Sequence, residues 1–157
     1  MNKFPISPKG LEILNQRLHQ LKTDQLKEAL EMIQNSREKS DLTENSDYEI
    51  AKELYNNIQS QIVKISRQIS NSKLILPQDV TTDSVKMLTQ VKVKCVKTSS
   101  EFEFSIVSPS EIDPKKGLIS YMSPVAKALI GKKKGETAMV RLPQGTTQYE
   151  IIDILPI

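Results

Sequence analysis

Two acidic residues stand three positions apart in the most polar stretch of the first half of the chain. Asp41 and Glu44 belong to the run Asp41-Leu42-Thr43-Glu44-Asn45. Residues three apart on a helix lie on the same face, so the two carboxylates can converge. Proteins usually hold Mg²⁺ with one or two carboxylates, assisted by water and phosphate oxygens. The spacing therefore indicates part of a metal site, whose other ligands would belong to a partner.

The same spacing also has a purely structural explanation. Asp followed by Glu three residues later, at the start of a helix, is a capping-box arrangement, and caps are far commoner than metal sites. Leu42, an apolar residue in this polar run, indicates a docking surface. Arg37 and Lys52 flank the run and could contact phosphate, but solvated helix charge is the commoner explanation for them. The residues alone leave these alternatives open.

Apolar periodicity predicts a long helix on each side of the acidic run. Ser7-Pro8 is a capping residue followed by a proline suited to the first helical position. The first apolar stripe is Leu11, Leu14, Leu18 and Leu21, resuming one residue out of phase at Leu26, Leu30 and Ile33; the second is Ile50, Leu54, Ile58, Ile62, Ile65 and Ile69. The phase change predicts a local adjustment within one helix.

These stripes predict an antiparallel helical hairpin in which one stripe is buried against the other. Its polar turn lies between Asn35 and Asp47. Each arm of about 30 residues would be roughly 45 Å long at 1.5 Å per residue. We expect the second helix to end at Pro77, where the apolar period changes.

Beyond Pro77 the apolar period is two, which is typical of strands. Residues 91–95 and 102–106 predict one β-hairpin, and residues 138–142 and 149–154 predict a second. Ser123-Pro124 begins a short helix that Gly131 ends. The predicted fold class is α+β, with a helical hairpin over residues 1–76 and a small antiparallel β domain with one short helix over residues 77–157.

Composition excludes several classes of function. Lys and Arg number 22 against 19 Asp and Glu, which is too balanced for a protein that binds duplex nucleic acid mainly through phosphate contacts. No apolar stretch is long enough for a signal sequence or a membrane span, so we expect a cytoplasmic protein without membrane contact. Cys95 lies in an alternating apolar run and is predicted to be a core residue. His19 has no second His or Cys nearby, so it is not a zinc ligand.

Two motifs carry a resemblance to a known family. Residues 37–48, REKSDLTENSDY, are similar to the tip signature of the GreA/GreB transcript cleavage factors, and residues 119–132, ISYMSPVAKALIGK, resemble that family's C-terminal signature. The similarity extends from about Pro5 to Ile154, and the balanced charge of the hairpin resembles GreA more than GreB. Position 40 is usually glycine in this family. Here it is Ser40. Glycine readily takes a left-handed turn conformation, whereas serine takes one only at a cost of about 1 kcal/mol.

The resemblance implies a fold and a set of partners. The second domain would be FKBP-like and bind bacterial RNA polymerase, with Ser123, Pro124 and Lys127 as the polymerase-binding residues. The hairpin would enter the polymerase's secondary channel and reach the 3′ end of the nascent RNA in backtracked complexes. A monomer is sufficient for this task.

The resemblance also implies residue roles. Asp41 and Glu44 would be the catalytic residues, holding Mg²⁺ transiently and jointly with the polymerase, while the isolated chain would bind no cofactor tightly. Arg37 and Lys52 match positions thought to contact RNA. The chain would then be no enzyme itself, but a factor that stimulates the polymerase's own hydrolysis of RNA.

Two alternatives stay open at this point. One is a regulator that occupies the same channel and inhibits without stimulating cleavage. The other is a prolyl isomerase or chaperone that uses the second domain. That activity needs an aromatic-lined pocket, for which the domain offers Phe102, Phe104, Tyr121 and Tyr149. Of these, Phe102 and Phe104 are predicted to belong to the sheet core.

Overall fold

The computed structural model describes residues 3–38 and 46–157 and divides the chain into two compact units. Unit 1 comprises Met1–Phe4 and Glu12–Ser72, and unit 2 comprises Pro5–Leu11 and Lys73–Ile157. A short N-terminal segment thus belongs with the C-terminal part of the chain. The predicted division into domains at residues 76 and 77 stays a prediction.

Unit 1 is built from long helices. Helix α1 spans Pro8–Gln20, a π-helical turn spans Leu21–Gln25, and helices α2 and α3 span Leu26–Glu38 and Ser46–Ser70. Arg17 on α1 hydrogen-bonds Gln61, and Arg37 on α2 hydrogen-bonds Tyr48. Moving along the chain from Arg17 to Arg37, the hydrogen-bond partner on α3 moves back from Gln61 to Tyr48. Helix α3 therefore runs antiparallel to α1 and α2. The predicted antiparallel helical pair is confirmed.

The phase change in the first apolar stripe coincides with the π-helical turn. Leu21 and Leu26 are five residues apart, and the Leu26 N–H donates to the Leu21 carbonyl oxygen. A π turn accommodates one more residue than an α turn, so it brings the apolar residues that follow back toward α3. Within the turn, the Thr23 hydroxyl donates to the His19 carbonyl oxygen at 2.7 Å. The predicted local adjustment within one helix is confirmed.

The distal half of the helical pair packs through small residues. Ala29 and Ala51 are buried, whereas Leu30, Ile50 and Leu54 are 49%, 58% and 38% exposed. The prediction that these three bulky residues lie in the helix interface was wrong. Small side chains let two helices approach closely, and the larger apolar residues then lie on the flanks. Closer to the π turn the expected packing holds, because Leu21 and Ile58 are both buried.

The second helix ends earlier than expected. Helix α3 stops at Ser70, and strand β2, Ser72–Leu74, follows and forms a two-stranded sheet with β1, Phe4–Ile6. The predicted end at Pro77 was wrong. Strands of three residues are too short to show an alternating pattern, and Pro77 instead begins a 3₁₀ turn, Pro77–Asp79.

Unit 2 contains a five-stranded sheet. Its strands are β3 (Thr89–Cys95), β4 (Glu101–Val107), β5 (Leu118–Ser120), β6 (Thr137–Leu142) and β7 (Gly145–Pro156), in the order β5-β4-β3-β7-β6. Strand β5 pairs parallel to β4, and the other pairs are antiparallel. Helix α4 spans Pro124–Leu129, and two 3₁₀ turns span Pro109–Glu111 and Pro114–Lys116. The α+β class and both predicted hairpins are confirmed.

One face of this sheet carries the core of unit 2. Val93 pairs with Phe102 on β4 and with Ile151 on β7, so the three side chains share a face. Phe104 is partly buried against this core, but Phe102 is 43% exposed, so its assignment to the core was wrong. Ala126 and Leu129 of α4 are buried in this core, and so is Val85, which precedes β3.

Hydrogen bonds hold the N-terminal segment within unit 2. The Ser7 N–H donates to Ser108 Oγ at 3.0 Å, and Ser7 Oγ donates to a Glu111 carboxylate oxygen at 2.6 Å. Ser7 Oγ also accepts from the Gly10 N–H at 2.9 Å, which confirms Ser7 as the cap of α1. A Cβ at Gly10 would lie 2.9 Å from Ser108 Cβ, so only glycine permits this close approach.

The helix interface of unit 1 can be tested with a pair of substitutions. Ala51→Leu should lower the free energy of unfolding by about 1–3 kcal/mol, because a larger side chain overfills the interface. Leu30→Ala should cost less than about 1 kcal/mol, because the side chain is half exposed. Urea unfolding followed by circular dichroism at 222 nm measures both. A loss of about 2–5 kcal/mol for Leu30→Ala would instead place Leu30 in the interface.

Candidate functional site

The two carboxylates predicted to bind metal lie outside the described residues. Asp41 and Glu44, with Ser40 and Leu42, belong to residues 39–45, between the last residue of α2 and the first residue of α3. Their role as catalytic and metal-binding residues therefore stays a prediction. Within residues 3–38 and 46–157, no group of three or more His, Cys, Asp or Glu side chains is placed to hold a metal ion.

Arg37 and Tyr48 meet across the ends of the two helices that border this segment. Arg37 lies in the last turn of α2, and Tyr48 lies in the first turn of α3. The Arg37 guanidinium donates to the Tyr48 phenol oxygen at 3.3 Å, and its Cζ lies over the ring, 5.4 Å from the centroid. This hydrogen bond, and secondly the positive charge of Arg37, lower the pKa of the Tyr48 phenol.

Lys52 contributes to the same end of the hairpin. It is exposed on α3, one turn beyond Tyr48, and its charge also lowers the pKa of Tyr48, to a smaller extent than Arg37 does. The two predicted RNA-contacting residues thus both act on one tyrosine. Sequence reasoning missed Tyr48, although an aromatic residue at the start of the second helix, in the quoted signature, was the available signal.

The predicted polymerase-binding residues lie at the start of α4. Ser123 Oγ accepts from the Ala126 N–H at 3.2 Å and so caps the helix, and Pro124 is its first residue. Lys127 is exposed on the same helix. Sequence reasoning missed Met122 and Ile130, which are 51% and 39% exposed on either side of α4 and make this surface partly apolar.

The remaining single residues behave as structural ones. Cys95 is buried in the core of unit 2, and hydrogen bonding to Thr98 lowers the pKa of its thiol. His19 is exposed on α1. The predictions that Cys95 is a core residue and that His19 lies on the surface are confirmed. No helix among the described residues is both long enough and apolar enough to cross a membrane.

Three aromatic residues of unit 2 pack against one another. The ring centroids of Phe102 and Phe104 are 6.2 Å apart, and each ring packs edge-on against Tyr149 at 6.0 and 6.1 Å. Burial raises the pKa of Tyr149 and of Tyr121. One cavity of this unit is lined by residues 95–98, 139, 142 and 144–148, which include no aromatic side chain. This arrangement disfavours the prolyl isomerase alternative.

Comparison with known proteins gives one consistent result. The family model described as "Transcription elongation factor, N-terminal" matches residues 4–74, and "Transcription elongation factor, GreA/GreB, C-term" matches residues 80–156. The chain is 39% identical over 154 residues to transcription elongation factor GreA of Helicobacter acinonychis (strain Sheeba), covering 98% of this chain and 94% of that protein.

A second relative agrees with this match, and a solved structure is similar at lower identity. The GreA of Amoebophilus asiaticus (strain 5a2) is 37% identical over 145 residues, covering 92% of both chains. The crystal structure of GreA factor homolog 1 of Thermus thermophilus is 23% identical, with a TM-score of 0.45 over 97% of this chain and 98% of that chain.

The protein is therefore a transcription elongation factor by class, since both of its parts match models of such factors. It belongs to the GreA/GreB family, and its curated relatives above are GreA proteins. The resemblance read from the two signatures is confirmed.

The two possible roles of Ser123 can be separated by substitution. Ser123→Ala should destabilise unit 2 by about 0.5–2 kcal/mol because the cap is lost, whereas Ser123→Asp should retain stability because Asp also caps helices. Thermal unfolding and polymerase pull-down should be measured for both variants. If both variants lose polymerase binding, Ser123 contacts the partner. If only Ser123→Ala does, its role is to cap α4.

Proposed function

We propose that this protein binds bacterial RNA polymerase, inserts its helical hairpin into the secondary channel and stimulates the polymerase's cleavage of backtracked RNA. Membership of the GreA/GreB family over nearly the whole chain supports the polymerase as partner. The observation that carries the cleavage activity is that Asp41 and Glu44 are both present between the two long helices. The chain acts as a cofactor of the polymerase and not as a free-standing enzyme.

The donor set fits a shared magnesium ion. Two carboxylates supply hard oxygen ligands but leave most of an octahedral shell to water, phosphate and the partner. A magnesium ion bound there would polarise the scissile phosphate and lower the pKa of an attacking water. Asp41 and Glu44 would hold it only when the polymerase completes the site, so the isolated protein is expected to bind Mg²⁺ weakly.

The cationic residues bordering the segment fit an RNA ligand. Arg37 and Lys52 are both exposed at the same end of the hairpin, and both lower the pKa of the same phenol. Arg in particular presents a planar set of N–H donors that matches phosphate oxygens. These two side chains would hold the displaced 3′ end of the RNA while Asp41 and Glu44 act on the scissile phosphate.

The second surface would keep the factor on the polymerase. Exposed Pro124 and Lys127 on α4, with the apolar Met122 and Ile130 beside them, form a mixed surface suited to a protein partner. Its function would be to hold the hairpin at the channel entrance independently of RNA.

A stalled, backtracked bacterial elongation complex provides the test. The wild type should release short 3′ RNA fragments in Mg²⁺, and Asp41→Ala/Glu44→Ala should slow this release by about 10²-fold or more, because a metal site is worth several kcal/mol of transition-state stabilisation. Asp47→Ala, another acidic residue in the first turn of α3, is the matched control and should retain activity.

Polymerase binding must be measured alongside cleavage. A wild type that binds the polymerase but does not accelerate cleavage would contradict the proposal and establish the channel-occupying regulator in its place. A variant that loses binding as well as cleavage would show that Asp41 and Glu44 support docking and not chemistry.

A further inference from the structure

The pairing of Arg37 with Tyr48 is a feature that the proposed roles do not explain. One residue lies in the last turn of α2 and the other in the first turn of α3, so together they bridge the two ends of the acidic segment. Arg37 is exposed to solvent. An exposed arginine usually samples many rotamers, so a specific contact at this point of the chain calls for an explanation.

Tyr48 contacts this arginine in two different ways. The phenol oxygen of Tyr48 accepts a hydrogen bond from Nη2 at 3.3 Å, and the face of the ring lies beneath the guanidinium at 5.4 Å. The first interaction restrains the end of the guanidinium, and the second restrains its plane. A guanidinium held in this way loses less conformational entropy when it binds an anion.

The chemical type of the group that holds Arg37 affects the net charge at this point. A carboxylate would hold Arg37 equally well but would neutralise it, whereas a neutral phenol accepts a hydrogen bond without adding negative charge. The hydrogen bond from Arg37, and secondly its positive charge, lower the pKa of the Tyr48 phenol. Tyr48 thus restrains the guanidinium without contributing a negative charge of its own near neutral pH.

We propose that Tyr48 is a positioning residue, which holds the Arg37 guanidinium in a fixed orientation for an RNA phosphate at the end of the hairpin. This inference rests on the proposed function, because the phosphate is that of the backtracked transcript. Tyr48 does not touch the reacting atoms. It acts through Arg37, so its removal should matter only while Arg37 is present.

The pairing can be measured without any activity assay. Four tyrosines are present, at positions 48, 55, 121 and 149, and absorbance at 295 nm follows their ionisation. In the wild type, Tyr48 should ionise below the usual phenol pKa of about 10, and before Tyr121 and Tyr149, whose pKa values burial raises.

Substitutions assign this transition to the pair. Tyr48→Phe should remove the early transition, and Arg37→Gln should move it toward the usual pKa, because the hydrogen bond and the charge that favour the phenolate are both lost. An early transition that is unchanged in Arg37→Gln would overturn the pairing.

Transcript cleavage then tests the role of the pair. Tyr48→Ala should reduce stimulated cleavage about tenfold, because it removes both contacts, whereas Tyr48→Phe keeps the ring and should lose less. Arg37→Ala should lose at least as much as Tyr48→Ala. The double variant should be no worse than Arg37→Ala alone, because the tyrosine acts only through the arginine.

The matched control is Tyr55→Phe on the same helix. The Tyr55 phenol oxygen accepts from Gln59 Nε2 at 3.0 Å, so this variant also loses a phenol hydrogen bond, but away from Arg37. It should cleave like the wild type. Additive losses in Tyr48→Ala/Arg37→Ala, or full activity of Tyr48→Ala, would overturn the positioning role.

The proposed function and the positioning role of Tyr48 can be contradicted separately. A wild type that stimulates no cleavage would remove the proposed function, and the role of Tyr48 toward RNA with it, even where titration shows the pair. An active wild type with an active Tyr48→Ala would leave the proposed function standing and remove only the inference about Tyr48.

Discussion

The helical unit depends on one constraint, which is that its two antiparallel arms have almost no core except each other. Leu21 and Ile58 are buried in their interface near the π-helical turn, and the buried residues described farther along are the small Ala29, Ser36 and Ala51. Close approach at small residues excludes bulky side chains from the interface. Leu30 and other large apolar residues therefore lie exposed on the flanks. The π turn at Leu21–Gln25 follows from the same constraint, because it turns the small residues of α2 toward α3.

The helix ends that border the acidic segment, residues 39–45, carry charges of both signs. Arg37 and Glu38 end α2, and Asp47, Tyr48 and Glu49 lie in the first turn of α3, with Lys52 one turn further on. In the proposed function, the acidic segment would supply metal ligands to the polymerase's active site, and Arg37 and Lys52 would supply positive charge.

Long, periodic elements were predictable from the sequence and short ones were not. The stripes predicted both helical arms, and the five-residue step from Leu21 to Leu26 predicted a local adjustment, which the structure shows to be a π turn. The stripes also predicted Leu30, and not Ala29, as the interface residue. Hydrophobicity alone favours the larger side chain, because it takes no account of the distance between the helices. The strands β1, β2 and β5 have three residues each, too few to show a period, and they form only through pairing with distant segments. Tyr48 was missed because its meaning depends on Arg37, eleven positions away.

The central claim is that Asp41 and Glu44 act as metal ligands and not only as helix caps. The most direct test is the Mg²⁺ dependence of stimulated cleavage in backtracked complexes, compared between the wild type and Asp41→Asn. Asn can cap a helix but is a poorer ligand for Mg²⁺. The account predicts that Asp41→Asn needs several-fold more Mg²⁺ for half-maximal cleavage and that excess Mg²⁺ restores part of the rate. An unchanged Mg²⁺ dependence with full activity would contradict it and would leave Asp41 as a cap.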